Sequence, residues 1–128
     1  GNSGQVATAL AVAGKSITEG LEIENWGRQQ LNLLDVNDVY GKVLQSGAGA
    51  VINAAAYTAV DNAENEEVEA TILNARAPAE VARAARAMNI PFVHLSTDYV
   101  FSGKKETPYV ETDPVDPLSV YGRTKAEG

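Results

Sequence analysis

The chain alternates between helix-like segments and short apolar segments, and this alternation restricts the folds that it can adopt. Val36–Gln45 carries apolar side chains at helical spacing, whereas Ala50–Ala54 and Phe92–Ser96 are short runs typical of buried strands. Strands that alternate with helices pair in parallel, because a crossover helix returns the chain to the same edge of the sheet. We therefore predict one α/β domain with a parallel sheet over residues 1–128.

The first part of the chain is predicted to contain one more helix and one more strand. Small residues over Gln5–Ala13 predict a helix that ends at Gly14, and the alternating segment Leu21–Glu24 predicts a strand. Gly47 and Gly49 follow the next helix and are expected to terminate it.

The second part is dominated by one long helical stretch. Glu64–Met88 is helical in composition and acidic at its start, which suits the positive end of a helix dipole. Pro78 is expected to break it into two helices, with Asn74 as the cap of the second. Further on, Ser102–Pro117 is rich in proline and charge and predicts a loop, and Leu118–Gly128 predicts the start of another helix.

The glycine-rich segment Gly1–Gly4 opens the first helix. A loop of this kind normally follows a strand at the centre of a doubly wound sheet. Without that strand, backbone groups of the neighbouring strands would lack partners. We therefore expect a Rossmann-like, doubly wound parallel sheet that is truncated in this chain, with its first strand ahead of Gly1.

The composition excludes several classes of partner. The net charge of −7 disfavours nonspecific binding to nucleic acid or to an anionic membrane, because both need basic surface. The longest apolar run, Gly49–Val60, is too short to cross a bilayer and is interrupted by polar residues. The chain has no cysteine, which excludes disulfides within it and suits a reducing cytoplasm. We expect a cytoplasmic protein without nucleic-acid or membrane partners.

The glycine-rich segment also has a chemical interpretation. Gly1 and Gly4 let the backbone turn tightly, so that a pyrophosphate can bind the free N–H groups at the helix N-terminus. Ala7 stands where the third glycine of the usual pattern falls, and Gly-x-x-Gly turns are common. On this segment alone, a dinucleotide site and an ordinary loop stay equally open.

Two further segments lie where a dinucleotide binds in such a fold. Arg28 follows the predicted strand at 21–24, where an arginine can pair with the 2′-phosphate of NADP. A solvated surface arginine is the alternative. The small residues of Asn53–Thr58 leave room for a ligand at the end of a strand, or else reflect tight packing of strand against helix.

Hydroxyl and carboxyl side chains follow the predicted strand at 92–96. Thr97 and Asp98 lie at the edge of a parallel sheet where substrates bind, and a hydroxyl there can polarise a carbonyl oxygen. An ordinary polar loop is the alternative. His94 lies inside the apolar run, without neighbours at metal-ligand spacing, and is expected to be a core or strand-edge residue rather than a base.

Tyr121 and Lys125 are four residues apart in a predicted helix and therefore share a face. An ammonium group beside a phenol stabilises the phenolate, so that the phenol can act as a general acid or base. Such a pair also arises by chance, so it carries weight only together with the other segments.

Taken in order, these segments resemble those of the extended short-chain dehydrogenase/reductases, and within them the dTDP-4-dehydrorhamnose reductases. The resemblance covers nearly the whole chain. It rests on Gly1–Val6, Asn53–Asp61, Ser96–Phe101, Glu111–Asp113 and Val120–Lys125. Ala7 in place of glycine, and Asn32 where the family often has aspartate, depart from the family pattern.

The resemblance implies a reductase that transfers hydride from NADPH or NADH to the 4-keto group of dTDP-4-dehydro-β-L-rhamnose. The implied catalytic residues are Thr97, Tyr121 and Lys125. Thr97 and Asp98 would also contact the sugar. The implied cofactor contacts are Gly4, Gln5, Val6, Arg28, Asn32, Leu33, Ala56, Tyr57, Thr58, Tyr121 and Lys125.

The resemblance also has implications for partners. Family members bind the nucleotide sugar through a C-terminal lobe, and some form homodimers around a divalent metal such as Mg²⁺. The residues responsible would lie beyond Gly128, so no metal site is expected in this chain. Without the first strand and the lobe, these 128 residues alone are not expected to turn over substrate.

Two alternatives to the reductase stay open. An epimerase or dehydratase of the same superfamily would share the cofactor loop and the pair of Tyr121 and Lys125. A noncatalytic, reductase-like subunit would keep the fold and bind dinucleotide without reducing a sugar. The dipeptide Thr97-Asp98 favours the reductase over the epimerase, and net consumption of NAD(P)H would separate the two.

Overall fold

The computed structural model describes residues 2–17 and 22–128 of the chain. In chain order, the elements are α1 (Gln5–Ile17), α2 (Val36–Gln45), β1 (Val51–Asn53), α3 (Val60–Ala63), α4 (Glu67–Thr71), a π-helical segment (Ile72–Arg76), α5 (Ala77–Met88), β2 (Phe92–His94), a 3₁₀ turn (Asp98–Val100) and α6 (Val120–Glu127). Strands β1 and β2 pair in parallel, with Val51 opposite Phe92 and Asn53 opposite His94. The predicted parallel α/β arrangement is confirmed.

The main core lies where α2 packs against α5 beside the sheet. Val39 and Val43 of α2 are buried against Ala77, Val81 and Ala84 of α5. The alanines let the two helix backbones approach closely, because a methyl group occupies little of the interface. The first residue of each strand packs on the same cluster. This helix pair therefore supports the sheet on one side.

The two N-terminal helices differ in how well their ends were predicted. Helix α2 has the predicted bounds, and it ends before Gly47, whose φ of +67° is a left-handed conformation that glycine adopts without strain. Helix α1 continues past Gly14 to Ile17, so the expectation that Gly14 ends it is wrong. A Cβ at Gly14 would collide with the side chain of Ile23. This glycine therefore serves close packing rather than termination.

Both strands are shorter than predicted, because only three positions of each form the ladder. The strand predicted over 21–24 is not found in its described part: Glu22–Glu24 have no strand pairing, and Leu21 lies outside the described residues. A strand requires a hydrogen-bonded neighbour, and the described part of the chain places none beside these residues. The strand expected ahead of Gly1 stays a prediction.

The long helical stretch does not break at Pro78, and this prediction is wrong. The chain stays helical through Ile72–Arg76, where the backbone takes π-helical geometry, and α-helix resumes at Ala77. Pro78 is the second residue of α5, which directly follows the π-helical segment. Asn74 is not a cap either, since its buried side chain bonds to other segments.

Residues 102–117 form a loop without helix or strand, as predicted. An ion pair between Lys105 and Asp113 and the stacked rings of Phe101 and Tyr109, with centroids 4.3 Å apart, hold this loop. Among the described residues, no helix is both long and apolar enough to cross a membrane. Within the same ranges, no group of three or more acidic, histidine or cysteine side chains is placed to hold a metal ion.

Candidate active site

The carboxyl ends of β1 and β2 meet at one edge of the sheet, because the strands are parallel. Residues 54–58 leave β1 and residues 95–98 leave β2 at this edge. The last residues of the two strands are in contact, with Asn53 Nδ2 3.1 Å from His94 Nδ1. This edge therefore brings together the segment after β1, which is predicted to contact the cofactor, and the segment after β2, which is predicted to contact the substrate.

Thr97 begins the 3₁₀ turn that follows β2. Its Oγ1 accepts a hydrogen bond from the backbone N–H of Tyr99 at 3.3 Å and donates to Asp98 Oδ1 at 3.2 Å. The hydroxyl is therefore held in place, but its proton is engaged by the carboxylate. A ligand oxygen that used Thr97 as a donor would have to replace Asp98 as the acceptor.

Helix α6 is seated against this turn by its first residues. Ser119 caps the helix, with its Oγ accepting from Gly122 N at 3.0 Å, and Val120 N donates to Glu64 Oε1 at 2.8 Å. A Cβ at Gly122 would overlap the carbonyl oxygen of Tyr99. Glycine at this position therefore permits the close approach of α6 to the 3₁₀ turn. Gly122 lies within Val120–Lys125, one of the segments that carry the family resemblance, but the sequence predicts no role for it.

Tyr121 and Lys125 lie four residues apart on α6, and each contacts a different part of the chain. The ring of Tyr121 packs edge-to-face on Tyr99, with centroids 5.5 Å apart. Lys125 is buried, its Nζ donates to the carbonyl oxygen of Leu95, and the same Nζ lies 3.4 Å from His94 Nε2. Burial lowers the pKa of Lys125 below the usual range of a lysine. Lys125 is thus anchored at the end of β2 and Tyr121 against the 3₁₀ turn, while their action as a pair stays a prediction.

His94 is partly buried between Asn53 and Lys125. Burial, and secondly the charge of Lys125, lower the pKa of His94. The imidazole also stacks on Phe92, with ring centroids 6.1 Å apart. This position agrees with the expectation of a strand-edge residue, while the contact with Lys125 was not expected.

Asn74, in the π-helical segment, is a residue of the site that sequence reasoning missed. Its Oδ1 accepts from Tyr57 N at 2.8 Å, and its Nδ2 donates to Tyr57 O at 3.2 Å and to Thr124 Oγ1 at 3.0 Å. Thr124 Oγ1 in turn donates to Tyr121 O at 3.0 Å. Asn74 therefore ties the segment after β1 to the helix that carries Tyr121. The available signal is an asparagine inside an alanine-rich helical stretch, a pattern that predicts a cap equally well.

Tyr57 has its phenol engaged on the protein surface. The hydroxyl donates to Glu66 Oε2, and this bond to a carboxylate raises the pKa of Tyr57 to about 12. The backbone N–H and C=O of Tyr57 are both held by Asn74. The conformation of the segment after β1 is therefore fixed by hydrogen bonds to both the backbone and the side chain of Tyr57.

The start of α1 presents an exposed backbone. Gly4, Gln5 and Val6 are all exposed, and a Cβ added at Gly4 would meet no atom within 4 Å. The first N–H groups of a helix have no partner within the helix and carry a partial positive charge. This end of α1 thus offers hydrogen-bond donors and open space to an anionic group.

Residues 25–28 pack beside the start of α1. A Cβ at Gly27 would lie 2.7 Å from the side-chain nitrogen of Asn2, and Asn25 Nδ2 donates to Ala7 O at 3.3 Å. Arg28 follows directly and is exposed. The structure therefore places the predicted 2′-phosphate residue on a loop adjoining the glycine-rich segment.

A cavity of about 870 Å³ lies between α1, residues 22–33 and β1. Its lining includes four predicted cofactor residues, namely Arg28, Asn32, Leu33 and Ala56. The side-chain oxygen of Asn32 accepts from Leu34 N at 3.3 Å, which leaves its amide nitrogen as a donor.

The chain matches one family model and relatives that are named as reductases. The family model described as "RmlD substrate binding domain" matches residues 1–128. A dTDP-4-dehydrorhamnose reductase of Sinorhizobium fredii is 41% identical over 128 residues, which cover 100% of this chain and 42% of that protein. The chain belongs to the dTDP-4-dehydrorhamnose reductase family.

Two solved structures have the same fold. A dTDP-4-dehydrorhamnose reductase of Clostridium acetobutylicum matches with a TM-score of 0.93 and 35% identity, over 99% of this chain and 45% of that one. One from Bacillus anthracis, in complex with NADP, matches with a TM-score of 0.89 and 30% identity, over 99% of this chain and 44% of that one. The Rossmann-like fold class is confirmed. The chain spans less than half the length of these relatives.

Proposed function

We propose that the full-length protein reduces the 4-keto group of dTDP-4-dehydro-β-L-rhamnose, giving dTDP-β-L-rhamnose, with NADPH as the preferred hydride donor. The observation that carries this proposal is the placement of Tyr121 and Lys125 beside the turn begun by Thr97. Membership of the reductase family supports the choice of substrate. The relative from Bacillus anthracis, solved with NADP, supports the choice of cofactor.

The residues of the cofactor surface fit a dinucleotide. The exposed N–H groups of Gly4, Gln5 and Val6 suit a pyrophosphate, and the open space at Gly4 lets it approach. Arg28, on the adjoining loop, suits a 2′-phosphate because guanidinium donors match phosphate oxygens. The remaining contacts would come from Asn32, Leu33, Ala56, Tyr57, Thr58, Tyr121 and Lys125. When bound, the dinucleotide supplies the hydride.

The proton is assigned to Tyr121. Its phenol would donate to the oxygen of the 4-keto group as charge develops there, while Lys125 holds the phenol and the cofactor ribose. Thr97 would turn its hydroxyl from Asp98 to the same oxygen, and Asp98 would then be free to accept from a sugar hydroxyl. Burial of Lys125 keeps its amine in one position, since it is tied to the Leu95 carbonyl.

The stoichiometry of the reaction tests this assignment. The full-length protein should consume one NADPH for each dTDP-rhamnose formed from dTDP-4-dehydrorhamnose. Turnover of a nucleotide sugar without net loss of NADPH would instead identify an epimerase or dehydratase. Binding of NADPH without turnover of any nucleotide sugar would identify a noncatalytic subunit.

A further inference from the structure

Tyr99, the middle residue of the 3₁₀ turn, carries an aromatic side chain that the proposed reaction does not use. This residue is 49% exposed, although its neighbour Val100 is buried. Its ring lies against the proposed proton donor, because the rings of Tyr99 and Tyr121 meet edge-to-face with centroids 5.5 Å apart. The proposed active site therefore has an aromatic surface beside the phenol of Tyr121 that a ligand can reach.

The backbone of the turn keeps this ring in place. Tyr99 N donates to Thr97 Oγ1 at 3.3 Å, and Phe101 N donates to Asp98 O at 2.9 Å on the other side of the turn. A Cβ at Gly122 would overlap the Tyr99 carbonyl oxygen, so α6 packs directly on this residue. The ring is thus positioned before any ligand binds, and its few rotatable bonds make it inexpensive to immobilise.

Asp98 and Tyr99 give the turn a polar side and an apolar side. A 3₁₀ helix has three residues per turn, so consecutive side chains diverge by about 120°. Asp98 carries carboxylate oxygens that accept hydrogen bonds, one of them from the Thr97 hydroxyl at 3.2 Å. Tyr99 presents an aromatic ring instead. A substrate at this turn therefore meets a hydrogen-bond acceptor and an aromatic surface next to each other.

The proposed substrate has the same two-sided character around its keto group. In a 4-keto-6-deoxy sugar, C4 is flanked by C3, which carries a hydroxyl, and by C5, which carries the C6 methyl. The methyl carbon is two bonds from the carbon that receives the hydride, so it must lie close to a side chain that adjoins the phenol of Tyr121. A methyl against a carboxylate would remove water from the charge without replacing its hydrogen bond, whereas a methyl against an aromatic ring displaces no polar contact.

We propose that Tyr99 is a specificity-determining residue whose ring receives the C6 methyl, so that the protein selects 6-deoxy sugars over sugars with a 6-hydroxyl. The C3 hydroxyl then points to Asp98. A 6-hydroxyl in the same place would lose water without gaining an equivalent partner, which should weaken binding by roughly 10–100-fold. This role deepens the proposed reductase function and rests on it for the identity of the sugar.

Ligand binding to the full-length protein tests this role. Calorimetry with saturating NADPH, which cannot reduce an alcohol, measures the affinities for dTDP-β-L-rhamnose, for dTDP-β-L-mannose, which differs only by a 6-hydroxyl, and for dTDP. In wild type and in Tyr99→Phe, which keeps the ring, the rhamnosyl ligand should bind roughly 10–100-fold more tightly than the mannosyl ligand. In Tyr99→Ala that ratio should fall below about 3-fold, with the affinity for dTDP unchanged.

Leu118→Ala is the matched control. Leu118 is 72% exposed and directly precedes Ser119, the N-cap of α6, so it is a second exposed apolar side chain close to Tyr121 along the chain. Its replacement should leave the ratio of the two sugar affinities unchanged. The wild-type ratio in folded Tyr99→Ala overturns the proposal, and so does an equal fall of the ratio in Leu118→Ala.

A measurement on the wild-type protein keeps the test valid if Tyr99→Ala does not fold. The protein is deuterated except for its tyrosine rings, and dTDP-β-L-rhamnose is bound in the presence of NADPH. An NOE should join the C6 methyl to a ring signal that disappears in Tyr99→Phe. Bound ligand without that NOE overturns the proposal.

Turnover separates the two proposals. An enzyme that oxidises NADPH with dTDP-4-dehydrorhamnose, but keeps the wild-type ligand ratio in Tyr99→Ala, refutes the role of Tyr99 alone. A protein that shows the change in ratio but does not oxidise NADPH refutes the reductase assignment and leaves the role of Tyr99 standing. Absence of binding to either dTDP sugar refutes both.

Discussion

The two halves of the site differ in how their residues are held. Around α6, Asn74, Thr124 and Lys125 are buried, and hydrogen bonds from three separate segments define their positions. At the start of α1 and in the adjoining loop, Gly4 and Arg28 are exposed. Proton transfer requires precise geometry, whereas an anionic ligand needs accessible donors. Substitutions near α6 should therefore change stability and turnover together, and those near α1 should change cofactor binding alone.

The largest expected loss of stability comes from Asn74→Ala in the full-length protein. The substitution leaves the backbone groups of Tyr57 and the hydroxyl of Thr124 without their buried partner. We expect the free energy of unfolding to fall by about 2–4 kcal/mol, measured by urea denaturation, and kcat to fall with it. Asn37→Ala, at an exposed position of α2, is the control and should change stability by less than about 0.5 kcal/mol. Equal losses in the two variants would show that the Asn74 network does not stabilise the fold.

A smaller loss is expected from Gly122→Ala. The new Cβ would push α6 away from the Tyr99 carbonyl, which should cost about 1–3 kcal/mol and misplace Tyr121. Gly41→Ala is the matched control, because it lies in α2 with open space around it and should raise stability by about 0.5–1 kcal/mol. Thermal unfolding and kcat measure both effects. If Gly122→Ala is as stable and as active as wild type, α6 does not need this close approach.

On the exposed side, Arg28→Ala should leave stability unchanged. Loss of a charged donor to the 2′-phosphate should raise the KM for NADPH roughly 10-fold or more, while the KM for NADH stays the same. Arg86→Ala, an exposed arginine at the end of α5, controls for the change in net charge. An equal rise for both cofactors would place Arg28 outside the 2′-phosphate site.

The same contrast explains which features could be predicted from sequence. The bounds of α2 follow from the local spacing of its apolar residues. That the carboxyl ends of β1 and β2 meet at one edge of the sheet follows from the α/β alternation, although the exact strand bounds do not. Asn74 contacts Thr124, 50 residues away along the chain, and no local pattern reveals that contact. The π-helical segment escaped prediction because the apolar spacing indicates a helix but not its hydrogen-bond register.

Glycine positions show the same limit of local reasoning. Gly47 was correctly expected near a helix end, because its left-handed backbone is a local property. Gly14 and Gly122 instead lie against Ile23 and Tyr99, and those contacts depend on how distant segments pack. A glycine in a helical stretch can therefore indicate either a helix end or close packing against another segment, and only the tertiary structure distinguishes the two.

Replacement of Tyr121 tests the central claim most directly. Tyr121→Phe in the full-length protein removes the phenol proton and keeps the ring that packs on Tyr99. Tyr40→Phe makes the same change in α2, beneath Arg83, and is the matched control. With dTDP-4-dehydrorhamnose and NADPH, kcat should fall by about 10²–10⁴ in Tyr121→Phe and stay unchanged in Tyr40→Phe. A wild-type rate of NADPH oxidation in Tyr121→Phe would contradict the assignment of Tyr121 as the proton donor.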